Sequence, residues 1–213
     1  MNQNRGLDRE DILHAILGAG LKPLPFSFYS RDTRTVACEL LGTYMVRFSP
    51  EGTVCGRVVE TEAYLGREDP ACHSARGPTP RNAVMFGPAG RAYVYFIYGM
   101  YYCFNVTTED EKTPAAVLLR ALEPVAGIEL MSRRRGTREI KKLCRGPGCL
   151  AQALGIDKEI NGTSVVDGPV RFYPPLPHDL PGEIAVAPRV GITQAADWPL
   201  RYYLKGNPFV SRP

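Results

Sequence analysis

The chain has 213 residues, enough for one large domain or two small ones with a real apolar core. Hydrophobic residues make up 44% and charged residues 23%, ordinary for a globular protein, and no run of 18 apolar residues offers a membrane-spanning helix. The net charge of +4 is mild, so bulk charge neither selects nor excludes a nucleic-acid partner.

Residues 1–10 are polar and charged and lack the apolar centre of a signal peptide, so the protein is expected to stay inside the cell. Residues 7–20 predict a short helix, with Ile12, Leu13, Ile16 and Leu17 at helical spacing and Gly18 and Gly20 as stops. The Pro-rich stretch 21–30 predicts extended chain, and Ser30 or Asp32 can cap a second helix over 33–42. Alternation over 43–49, a turn at 50–52 and a return strand over 54–64 predict a hairpin. Residues 65–91 form a long Gly-, Pro- and Arg-containing loop, a length that in a compact chain usually carries function.

Two aromatic β-rich runs follow, 92–98 and 100–106, broken at Gly99. Residues 115–121 predict a very apolar strand interrupted by Arg120. Residues 123–135 and 143–154 read as helices, and 170–173, 184–187 and 200–205 as strands. Mixed α/β architecture results: a single domain over 1–213 with a largely antiparallel sheet flanked by helices. Within it, 1–30 is an N-terminal extension with a short helix.

Four features carry chemistry. On the return strand, alternation sends Glu60, Glu62 and Tyr64, with Val58, to one face. Two carboxylates on one face either meet water, as on a solvated edge strand, or have partners nearby that serve chemistry. The run Tyr93 to Asn105, beside a loop containing His73, Arg76, Arg81 and Asn82, suits nucleobase stacking, although several of its tyrosines must be core. Between Met131 and Arg145 seven Lys and Arg face one acid, a pattern that fits a phosphate backbone and a solvated helix face equally well. Six cysteines with no signal peptide are expected as reduced thiols, Cys55 and Cys103 in the core. Cys144 and Cys149 are the close pair, but with scattered partners and a lone His178 no metal site is expected.

Taken together, several segments resemble the alkyladenine (3-methyladenine) DNA glycosylases of the human type, not the helix-hairpin-helix glycosylases. They are RVVETEAYLG (57–66), His73-Ser74, TPRN (79–82), Met85-Phe86, YVYFIYGMYYCFN (93–105), VLLRALEP (117–124), CRGPGCLAQALGI from Cys144 and GNPFVS near the C-terminus. They run in family order from about Leu40 to the end. The resemblance implies a curved sheet with a protruding β-hairpin. It also implies excision of alkylated or deaminated purines (3-methyladenine, 7-methylguanine, hypoxanthine, ethenoadenine) from double-stranded DNA by base flipping, leaving an abasic site.

By the resemblance, Glu62 is the base that activates water and Arg120 helps hold that water. Tyr64 and His73 are walls of the base pocket, with Tyr95 stacking opposite, and Asn105 tests position 2 of the purine. Tyr98 is the wedge that fills the gap in the helix, Met85 a groove contact beside it, and Arg81 and Arg145 candidates for phosphate contacts. No cofactor or metal is implied. With no lysine at the site to form a Schiff base, the enzyme is expected to be monofunctional. A monomer in the cytoplasm, nucleoid-associated in a bacterium and without a membrane partner, is the expected setting. Glu60 is expected to be structural. Against the pattern, the loop from His73 to Met85 is a residue short, residues 107–114 are acidic and long, and Ala115 and Ala116 are small beside the pocket strand. The competing functions are a lesion-binding module without catalysis and a hydrolase of free nucleosides.

Overall fold

The structure is a computed structural model, described here for residues 9–18, 20–177 and 179–212. The polar N-terminal residues 1–8 and His178 lie outside these residues. In chain order the elements are α1 (Arg9–Gly18), α2 (Phe26–Tyr29), α3 (Thr33–Glu39), β1 (Tyr44–Ser49), β2 (Gly52–Tyr64), β3 (Ala92–Ile97), β4 (Tyr101–Thr108), β5 (Ala115–Ala126), α4 (Ile128–Arg135), α5 (Ile140–Leu143), α6 (Pro147–Leu154), β6 (Val170–Tyr173), β7 (Ile184–Ala187) and β8 (Arg201–Leu204). Eight strands form one sheet in the order β3-β4-β5-β2-β1-β6, with β8 on β2 and β7 on β8. Every pairing is antiparallel.

Strand β2 organises the molecule. One edge pairs with β5 along most of its length. Its other edge pairs first with β1, over Gly52 to Arg57, and then with β8, over Glu60 to Glu62. Glu60 and Glu62 therefore lie on an interior strand with neighbours on both sides. Of the two readings open for these carboxylates, the solvated edge is excluded: both residues are 0% exposed and paired with partners. Strict alternation also fails here. The β2–β5 register shifts between Val58 and Glu60 and again between Glu60 and Thr61. Val58 joins Val59 and Ala63 in the main apolar cluster rather than standing with the carboxylates. On β5, Leu119 pairs with Thr61 and Ala121 with Glu60, so Arg120 is the residue left over. Such bulges re-aim a side chain, and this one aims Arg120 at both carboxylates.

The hairpin of β1 and β2 forms as its alternation predicts, and Asp32 caps α3 by accepting from the Thr35 N–H at 2.9 Å. Three predicted elements differ. Residues 21–30 are not wholly extended, because after Pro25 the chain makes one helical turn that buries Tyr29. Residues 123–126 are strand rather than helix, since pairing of Glu123, Pro124 and Ala126 with β2 overrides their local preference. Helix α4 starts only after Gly127, at φ +71°, where a Cβ would come 2.6 Å from the Thr53 carbonyl oxygen. The helix predicted over 143–154 starts later, at Pro147 as α6, and Leu143 instead ends a separate short helix, α5. Cys144 and Arg145 between them bond to β5, and Pro147 starts α6 where its missing N–H costs nothing. The main core lies between the sheet and α3, α4 and α6; a second packs α1 on Tyr44, Val46, Cys55 and Tyr173.

Candidate active site

A cavity of about 370 Å³ opens between the β3–β4 hairpin, the loop after β2, the start of α6 and the segment after β7. Its size falls within the range of small-molecule sites, roughly 300–1,000 Å³. Tyr64, His73, Met85, Tyr95, Tyr98, Asn105 and Arg120 all line it. The sequence places these residues far apart, and the sheet register collects them. Asn105 on β4 pairs with Tyr93 on β3 and with Leu118 on β5, and Leu118 in turn pairs with Glu62 on β2. Four adjacent strands thus carry one row of site residues.

Glu62 sits behind this wall rather than in it. Its Oε1 accepts from the Val190 N–H at 2.7 Å and pairs with Arg120 Nη1 at 3.2 Å, and its Oε2 accepts from the Tyr64 hydroxyl at 2.9 Å. A carboxylate has about four lone-pair sites, so one acceptor position is left over. Burial pushes the Glu62 carboxyl above the usual carboxylate range, against the pull of Arg120, the Val190 N–H and the Tyr64 hydroxyl. A carboxylate so raised is a stronger base than one in water. Burial opposes the Arg120 charge, but Glu62 and Glu60 more than offset it, and the guanidinium stays cationic.

Glu60 also has three partners, two of them arginines. Oε1 accepts from Arg120 Nε at 3.1 Å and Arg201 Nη1 at 3.0 Å, and Oε2 from the Ser211 N–H at 2.6 Å. Glu60 thus ties β2 to β5, β8 and the C-terminal segment. Arg201 also bonds the Arg212 carbonyl at 2.6 Å, so the C-terminal segment closes the rear of the site.

The pocket walls are equally fixed. His73 Nδ1 is 2.7 Å from the Tyr93 hydroxyl, and its ring meets Tyr95 edge-on at 4.6 Å. Partial desolvation and the nearby Arg81 guanidinium lower the His73 pKa, favouring the neutral ring. Asn82 holds the His73 carbonyl at 2.8 Å, and Asn105 is held by the Tyr93 carbonyl at 3.0 Å. Tyr98, at the hairpin tip, is 80% exposed and has φ +55°.

Met85 is 3% exposed, packs with Cys72, Tyr93 and Ala116, and lines the cavity from its wall. Arg81 bonds the Phe96 carbonyl at 3.2 Å and lies 5.0 Å over the Tyr95 ring. Arg145 is exposed and bonds the Val210 carbonyl at 3.0 Å. The basic run divides in two. Arg134 and Arg135 are held by Glu51, Ala153, Leu143 and Cys149, whereas Arg133, Arg138 and Lys141 are exposed. In the acidic stretch 107–114, Thr107 and Thr108 belong to β4, Glu109 bonds the Thr33 N–H, and none of these residues lines the cavity. Ala116 does line it. All six cysteines are free. No helix among the described residues is long and apolar enough to cross a membrane.

Sequence reasoning missed Asp69, Arg189, Val190 and Arg201. The only signal was a pair of isolated arginines in apolar surroundings, and their partners lie 120 residues or more away in the chain.

Comparison with known proteins agrees with this geometry. Residues 27–208 match the model of the methylpurine-DNA glycosylase family. Three relatives are each provisionally named a 3-methyladenine DNA glycosylase. One from Methanoculleus marisnigri is 57% identical over 89% of this chain and 98% of its own. One from Carboxydothermus hydrogenoformans is 47% identical over 89% and 98%. One from Koribacter versatilis is 46% identical over 91% and 95%. The chain belongs to the methylpurine-DNA glycosylase family and is a monofunctional base-excision-repair DNA glycosylase of that type.

Proposed function

We propose that this enzyme flips an alkylated or deaminated purine out of double-stranded DNA and hydrolyses its N-glycosidic bond, leaving an abasic site. The observation that carries this reading is the pairing of buried Glu62 with Arg120 directly behind a cavity walled by aromatic rings. Reaction at C1′ inside a duplex requires extrusion of the nucleotide, at a cost of a few kcal/mol. Stacking on Tyr95 and Tyr64 returns about 1–3 kcal/mol per face. The exposed Tyr98 enters the space the base leaves.

Arg120 and Tyr64 both touch Glu62 and both reach the cavity. A water seated against them meets the remaining lone pair of Glu62. Glu62 takes a proton as the water oxygen bonds C1′ and the C1′–N bond breaks, its electron pair leaving with the base. A cationic base departs neutral, and a neutral one takes up a proton from solvent. The Glu62 charge stabilises the oxocarbenium-like transition state. Arg120 orients that water. Asn105, fixed by Tyr93, tests position 2 of the purine, and Ala116 leaves room beside it. His73, neutral and anchored by Tyr93, forms the wall next to Tyr95. The substrates are 3-methyladenine, 7-methylguanine, hypoxanthine and ethenoadenine. A base-release assay on duplexes carrying each lesion tests this. Free damaged base and an intact abasic strand are expected; release from free nucleosides but not from duplexes would overturn it.

A further inference from the structure

We propose that the buried Asp69–Arg189 ion pair is the positioning element of this site, backing Tyr64 and presenting the Val190 N–H to Glu62. The inference rests on the role of Glu62 given above. Asp69 is 0% and Arg189 5% exposed, and the two side chains meet in a two-pronged contact, with Arg189 Nη2 at 2.8 Å from Asp69 Oδ1. A buried ion pair seldom increases stability over an apolar pair of the same volume. Its contacts show what it does instead.

Three walls of the cavity meet at this pair. Asp69 accepts from the Leu65 N–H at 3.1 Å and the Ala71 N–H at 3.0 Å, which sets the path of the chain from Tyr64 to His73. Arg189 donates to the Ala63 carbonyl at 3.1 Å, and its guanidinium lies 4.7 Å over the Tyr64 ring. Tyr64 lines the cavity and Arg189 does not, so Arg189 backs the wall from outside. The next residue is Val190, whose N–H reaches Glu62 Oε1. Gly191 and Ile192 then line the cavity themselves. Fixing Arg189 thus fixes both the stacking ring and the one backbone donor on the base.

The consequence is kinetic and pH-dependent. The groups facing Glu62 are Glu60 and Tyr64 from β2, Arg120 from β5, Cys103 from β4, and Arg189 and the Val190 N–H from the segment after β7; Arg201 of β8 acts through Glu60. Loss of the Val190 hydrogen bond leaves the ionised carboxylate less stabilised, so the acid limb of the rate profile moves to higher pH. Removing Arg189 alone also removes a charge, and removing Asp69 alone leaves one. The double variant Asp69→Asn with Arg189→Met removes both together and isolates the positioning effect.

The test is single-turnover excision by this double variant across pH, beside the wild type and Arg189→Lys, which keeps the charge but loses the planar fork. We expect a loss of roughly tenfold in rate, with the acid limb displaced upward in the folded double variant, and a similar loss in Arg189→Lys. A rate reduced at every pH with the limb unmoved would assign the pair to folding alone and overturn the proposal. If neither variant folds, hydrogen exchange in the wild type decides. A protected Val190 amide supports the proposal, and exchange at the unprotected rate contradicts it. A wild type that releases no base from any duplex would instead defeat the function proposed for the site.

Discussion

The two ends of the cavity are built on opposite principles. At the closed end, Glu60, Glu62, Arg120 and Arg201 are at most 6% exposed and hold one another through the sheet. At the open end, the hairpin tip leaves Phe96, Tyr98 and Met100 48%, 80% and 65% exposed. Burying a large apolar side chain is worth about 1.5–3 kcal/mol, so the tip forgoes stability that a monomer in water would gain by folding it inward. The closed end instead accepts the cost of buried charge. Both departures make sense if the chemistry needs fixed, dry charges and the DNA supplies the missing cover for the tip.

That contrast can be broken in four places, from large effects to small. Glu62→Gln keeps the shape and removes the base. It should cut excision by about 10³-fold or more, within the reach of general-base catalysis combined with charge stabilisation, while binding to lesion DNA persists. On the role proposed for Glu62, its protonation in the wild type should switch the enzyme off. Because burial raises that pKa, the rate should rise with pH through a midpoint above the ordinary carboxylate value of about 4.3. A midpoint at or below that value would show that burial does not raise the Glu62 pKa during reaction.

Glu60→Gln leaves Arg120 and Arg201 with an uncompensated buried charge. Breaking such a network costs about 3–5 kcal/mol, which denaturant unfolding would read directly, and misplacing Arg120 should slow excision about 100-fold. An unchanged unfolding midpoint would remove Glu60 from the framework. Tyr98→Ala should slow single-turnover excision from duplex about tenfold, with the fold unaffected, because the side chain is already in solvent.

The smallest effect belongs to the basic run. Arg133→Ala with Lys141→Ala should weaken DNA binding a few-fold at low salt and lower the slope of log affinity against log salt by up to about 2. An unaltered slope would make this a solvated helix face.

How much of this was legible in the sequence depends on the range of the contact. The β1–β2 hairpin could be read because alternation and turn residues are local. The late start of α6 had a local mark in Gly146-Pro147, yet the predicted helix begins at Leu143. Residues 123–126 could not be read, because pairing with β2 decides their conformation. At the site, alternation placed Glu60 and Glu62 together and left their exposure open, but it misjudged the side of Val58, since a register shift leaves no mark on a single strand. Family resemblance pointed to Arg120, Tyr64, Tyr95 and Tyr98, all of which line the cavity. Neither route found Asp69 and Arg189, which meet only when the loop after β2 and the segment after β7 fold against each other.

The most direct test of the division between fixed chemistry and exposed wedge compares the same lesion in a duplex and in a single strand, under single turnover, for the wild type, Glu62→Gln and Tyr98→Ala. A single strand needs no gap filled, so Tyr98→Ala should recover the wild-type rate there, whereas Glu62→Gln should remain inactive on both. Equal impairment of Tyr98→Ala on both substrates, or substantial excision by Glu62→Gln on either, would contradict the account.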